Sequence, residues 1–222
     1  VFDLGVLTDT APSSDQSQRQ QAKGAIPHDI GGKLLAPKAA AAKATATVSA
    51  LSFKASLESR KRNLAQFVER TRAVDAAGAT QLEQLFAAQD VIEEVAKALQ
   101  AYGMRTDNVA DAFALYWINA WNTSRGISAE TSKEQAKAVQ RQVANALLAT
   151  PDFTAAEDAL KQELAEALII QAVLLEAALQ QSAGDASVEK QLMHAARQGA
   201  KGMGLELDQM QLTPDGFVPA KK

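Results

Sequence analysis

Cysteine is absent from all 222 residues, and with it go disulfides, thiolate zinc sites, iron–sulfur clusters, covalently attached haem and thiol nucleophiles. Histidine is nearly absent too. His28 and His194 are far apart in the chain, and nothing in the sequence points to partners for a histidine-based triad, so His194 is expected as a partly exposed helix residue. Positive charge is not in excess: the formal net charge is −3, which supplies no field to hold a polyphosphate backbone and argues against nucleic acid as a partner. Long apolar runs are missing as well. The longest mostly apolar stretch, 167–179, is interrupted by Gln171 and Glu176, whereas a membrane-spanning helix needs about 18 or more apolar residues. No transmembrane segment is expected.

Aromatic residues make up only 5% of the chain, while alanine alone supplies 46 residues, nearly half of the hydrophobic content. Apolar content built from small, helix-favouring side chains predicts an all-α protein, a bundle of about six or seven helices. The chain opens at Val1 and runs into a Ser/Gln/Ala/Lys-rich stretch, a pattern that suits an exported protein whose leader has been removed; a periplasmic or secreted location is the expectation.

Three parts are expected. Residues 1–52 carry turn-forming clusters at Ala11-Pro12-Ser13-Ser14, Ile26-Pro27, Gly31-Gly32 and Ala36-Pro37, then the low-complexity tract 39–50, and read as an extended arm. Within the arm, Val1, Phe2, Leu4, Val6 and Leu7 form an apolar cluster that can dock on a protein partner or on a second copy of the chain; the plainer reading is a disordered tail. Residues 53–204 read as the helical domain and 205–222 as a C-terminal tail, whose Thr213-Pro214-Asp215-Gly216 turn suggests a short strand or hairpin. Helices are expected near 56–74, 76–87, 90–101, 107–124, 131–149, 154–181 and 187–200. Two capping boxes support this, Thr131-Ser132-Lys133-Glu134 and Thr154-Ala155-Ala156-Glu157. The long helix is apolar on nearly every face from Leu168 onward, as a central helix would be, and Glu176 is the carboxylate expected to be partly buried there.

One segment concentrates unusual side chains. Residues 102–126 hold both tryptophans, both tyrosines and Phe113; at helical spacing Val109, Phe113, Trp117 and Trp121 follow one another on one face, while Asn108, Asp111, Asn119 and Asn122 form a polar stripe on another. Tyr102, Asn108, Asp111, Tyr116, Trp117, Asn119, Trp121 and Asn122 are therefore either a ligand site or a core with its polar ties. Arg105 and Arg125, at the two ends, can pair with Asp107 or Asp111.

Other constellations carry less. Paired Glu-x-x-His motifs are missing, Glu93, Glu94, Glu157, Glu163 and Glu166 show no fixed acid-pair spacing, and Lys133, Lys137 and Arg141 form a basic stripe typical of a solvated face. Neither a catalytic residue nor a metal or other cofactor is expected.

The segment Thr106-Asp107-Asn108-Val109-Ala110-Asp111-Ala112 through Tyr116-Trp117-Ile118-Asn119-Ala120-Trp121, with residues 60–68 before it and 204–212 after, resembles a family of exported bacterial helical proteins of unknown function, over about residues 53–218. The resemblance implies an all-helical domain in the envelope or outside the cell, and brings no catalytic residues. Together these readings point to a non-enzymatic structural or accessory subunit that binds neighbours through its arm. Two alternatives stay open: a glycan- or small-ligand-binding module or hydrolase centred on 102–125, and a periplasmic chaperone or inhibitor with an exposed apolar groove.

Overall fold

The computed structural model describes residues 33–35 and 48–220. Helix starts are set by short polar side chains that accept the otherwise orphaned N–H groups of the first turn. Ser56 opens α1 (Leu57–Arg72), Asp75 opens α2 (Ala76–Ala88), Asp90 opens α3 (Val91–Gln100) and Asn108 opens α4 (Val109–Thr123). Ser132 opens α5 (Lys133–Leu148) and Asp185 opens α7 (Ala186–Gly202). Of these seven helices, the 25-residue α6 (Asp158–Ser182) alone begins without a side-chain cap. A 3-10 turn, Leu207–Gln209, leads into a hairpin of β1 (Met210–Thr213) and β2 (Gly216–Pro219), paired antiparallel from Met210↔Pro219 to Thr213↔Gly216. The all-α bundle with a terminal hairpin thus has the expected architecture.

Three helix starts differ from expectation. The start of α4, expected to be capped by Thr106 or Asp107, is capped by Asn108, whose side chain accepts from the Ala110 and Asp111 N–H groups. The capping box of α5 is formed one residue later, by Ser132 and Gln135, because Ser132 is the residue whose extended backbone lets its hydroxyl reach the Gln135 N–H. The second box does not form. Thr154 instead ends a separate helical turn, Pro151–Thr154, in which Phe153 is buried, and α6 starts only after Glu157. Anchoring Phe153 in the core fixes that turn apart from the long helix.

The core is built around α4, which is buried on almost every face and lies along α6, with α5 and α7 also against it. The chain on either side of the expected domain joins this core. Leu34 and Leu51 are buried, and Phe53 N–H donates to the Asp107 carbonyl at 3.1 Å, so the strand-like approach to α1 runs beside the approach to α4. At the other end Leu205, Leu207, Met210 and Phe217 are buried. The hairpin rests on α5, where Gln142 donates to the Phe217 carbonyl and accepts from the Phe217 N–H. Gly216 permits this contact: its φ of 99° suits glycine, and a Cβ there would run into the Gln142 side chain and the Ala138 backbone.

Val1, Phe2, Leu4, Val6 and Leu7 lie outside the described residues.

Candidate functional site

The polar and aromatic residues of 102–125 separate into three groups, because α4 is surrounded and each face meets a different neighbour.

The first group organises the helix start. Asn108 accepts from the Ala110 and Asp111 N–H groups and donates to Ser52 Oγ at 3.0 Å, tying the approach to α1 to the cap of α4. Asp111 Oδ2 accepts the Arg105 N–H at 2.8 Å, which holds the loop ahead of the helix. Burial pushes the Asp111 carboxyl above its ordinary pKa, against the opposing pull of the Arg105 N–H, Gln140 and the charges of Lys137 and Arg105. Arg105 itself pairs in a fork with Asp107.

The second group is structural core. Trp117 is fully buried, stacks on Phe217 with ring centroids 4.1 Å apart, and points its indole N–H at Met210 Sδ. Trp121, half-buried, meets Phe217 edge-on at 6.0 Å and donates to the Met210 carbonyl at 3.1 Å. Arg125 lies over the Trp121 ring at 4.4 Å and donates to the Leu207 and Met210 carbonyls. Burial lowers its pKa, partly countered by Asp208. Both tryptophans therefore clamp the C-terminal hairpin. Tyr116 is buried too, and burial pushes its phenol well above the usual value.

The third group faces open space. Tyr102, Asn119 and Asn122 line a cleft of about 470 Å³ between α3, α4, α6 and the loop after α4. Its floor includes Leu99, Leu115, Ile118 and Leu179, and Glu130, Glu176 and Gln180 also line it. Asn119 Nδ2 donates back to the Leu115 carbonyl at 3.0 Å. The sequence pattern thus assembled a list of eight residues of which the fold brings only Tyr102, Asn119 and Asn122 to one cavity.

Glu176 is exposed rather than partly buried; the buried carboxylate of α6 is Glu166, ten positions earlier on the face that meets α1. Arg60 Nε contacts Glu166 at 3.2 Å, and its Nη1 reaches Asp90 at 2.8 Å and Glu93 at 3.0 Å. Asn63 donates to the second Glu166 oxygen at 2.7 Å, and Gln162 donates to the first at 2.9 Å. Gln162 also exchanges hydrogen bonds with the backbone N–H and carbonyl of Ser56, the N-cap of α1. Burial disfavours the charged guanidinium, but the bonds to Glu93, Asp90 and Glu166 outweigh it and Arg60 is held above its ordinary pKa. A guanidinium sits between the carboxylates that an acid–base pair would need. Sequence reasoning missed this cluster; its signal was a polar pair at i, i+3 in α1 (Arg60, Asn63) and another at i, i+4 in the apolar α6 (Gln162, Glu166).

His194 is exposed, and Lys137 of the basic stripe donates to the Gly103 carbonyl. Among the described residues no group of three or more His, Asp or Glu side chains is placed to hold a metal ion, and no helix is long and apolar enough to cross a membrane.

Residues 9–219 match a family of unknown function, DUF6683, and the chain belongs to that family. The match begins well before the 53–218 span of the expected resemblance, so most of the arm lies within the family's pattern. No curated protein and no solved structure matches the chain.

Proposed function

From a family that assigns no reaction, we propose that this chain is a non-enzymatic accessory subunit of an envelope or extracellular assembly, a helical platform whose arm engages a neighbouring protein. The observation that carries the reading is a buried point within the arm: Leu34 lies in the bundle's core with Leu35 packed against it, so this part of the arm is held by the domain. A segment pinned at its base has a smaller volume to search for a partner than a free tail, which raises its effective concentration at a neighbouring site. Its apolar residues Val1, Phe2, Leu4, Val6 and Leu7 offer side chains for such a site. Arg60 with Glu166 braces α1 against α6, and the half-buried Arg125 ties the C-terminal hairpin through backbone carbonyls; these structural uses of charge favour a scaffold over a catalyst.

The test is a chain starting at Lys33, which keeps the anchor. Light scattering and in-cell cross-linking are run on both forms, with thermal melts alongside. We expect an unchanged melt and loss of the cross-linked species. Identical masses and identical cross-links in both forms would overturn the proposal.

A further inference from the structure

We propose that the cleft between α3, α4 and α6 binds a small organic cation, an ammonium group carried on an apolar body. The cavity's volume of about 470 Å³ lies within the span of small-molecule sites. Its floor is aliphatic, from Leu99, Leu115, Ile118 and Leu179. Its charge is of one sign: Glu130 and Glu176 line it, and no Lys, Arg or His does. Glu176 accepts only a long bond of 3.4 Å from Gln180, and neither carboxylate forms an ion pair among the described residues.

The amides add acceptors. Asn119 spends one N–H on the Leu115 carbonyl, and its Oδ1 is an acceptor for which no hydrogen bond is seen among the described residues. Tyr102 contributes a ring, which attracts a cation across its face. An apolar body on the floor and a positive group near the carboxylates match the lining, whereas an anion meets two negative charges and no cationic side chain in it. A sugar would seek an exposed indole, and both indoles are engaged by the hairpin on the other side of α4. None of the residues said to line the cleft belongs to the arm, and each reading stands or falls without the other.

Three probes of one shape decide it, added to the full chain: phenethylammonium, the neutral phenethyl alcohol and the anionic 3-phenylpropionate. Amide NMR shifts, including the side-chain amides of Asn119, Asn122 and Gln180, report where each binds. We expect phenethylammonium to bind at the cleft in the millimolar range, about 3- to 10-fold tighter than the alcohol, with the carboxylate giving no cleft shifts. In the Glu130→Gln/Glu176→Gln double variant, both sites being exposed, the melt should be unchanged and the ammonium should fall to the affinity of the alcohol. The proposal is overturned if the alcohol binds as well as the ammonium, if shifts cluster away from the cleft, if the double variant keeps the preference, or if none of the probes binds.

Discussion

Removing Arg60 should cost the protein more than removing its buried partner, and removing both should cost less than removing Arg60 alone. The Glu166 side chain is 2% exposed, and among the described residues Arg60 is the one cation paired with it. Arg60→Met leaves a buried carboxylate facing two amides, Asn63 and Gln162, with no compensating charge. Breaking a buried pair from one side costs about 3–5 kcal/mol. Glu166→Gln is milder, because the guanidinium keeps Asp90 and Glu93 at 2.8 and 3.0 Å and the half-exposed acids still neutralise it. What is lost is one charge-assisted hydrogen bond and the Asn63 contact, about 1.5–3 kcal/mol. Arg60→Met/Glu166→Leu removes the orphaned charge and leaves two neutral amides to be rehydrated, so it should lie about 1–3 kcal/mol above Arg60→Met in stability. Urea unfolding and thermal melts, both followed by far-ultraviolet circular dichroism, measure all three, and a shift of roughly 6–20 °C in Tm is expected for Arg60→Met. An Arg60→Met cost near that of an ordinary surface substitution, or a double variant less stable than Arg60→Met, would refute the reasoning: the cluster would then not be bracing α1 against α6.

Further outcomes follow from the ends of α4. Asn108→Ala should destabilise by about 1–2 kcal/mol through loss of the cap and the Ser52 bond, with Asn108→Asp recovering the cap share; chemical denaturation checks it. Gly216→Ala forces an L side chain into a positive φ against Gln142, so a cost of about 1–3 kcal/mol and a red-shifted tryptophan emission are expected, since Trp117 and Trp121 both pack on Phe217. Asp111 gives a pH signature. Its native pKa is raised above the ordinary 3.8, so the native state takes up the proton first; this group's contribution to stability grows as pH falls from the native value toward the unfolded one and is lost as pH climbs back. Relative to the wild type, Asp111→Asn should therefore fare better at neutral pH than below pH 3.8, as read from parallel melts, and a pH-independent difference would contradict the assignment.

The helices were legible because their information is local. Their periodicity spans a few residues, and Gly126 ends the turn after α4 with φ 64°; which polar side chain caps each start, Asn108 rather than Thr106 or Asp107 for α4, came from the structure. Where two polar residues compete for a cap, as Thr131 and Ser132 do, composition alone does not choose; backbone geometry at Ser132 does. Glu166 and Glu176 show the same limit for burial. Both sit in an apolar helix, and only the position of α1 tells which one is covered.

The same distinction governs the candidate site. From the sequence alone came an all-helical chain free of cysteine, an aromatic helix with a stripe of amides, and a hairpin turn at Thr213-Pro214-Asp215-Gly216, all of them patterns spanning a few residues. Tertiary structure decided that the tryptophans hold the hairpin, that Asn108 and Asp111 hold the helix start, and that Tyr102, Asn119 and Asn122 meet Glu130 and Glu176 around a cavity. Periodicity assigns a side chain to a face of its own helix, but what that face touches depends on contacts between segments as distant as Trp121 and Met210, and those are set by packing the whole chain at once.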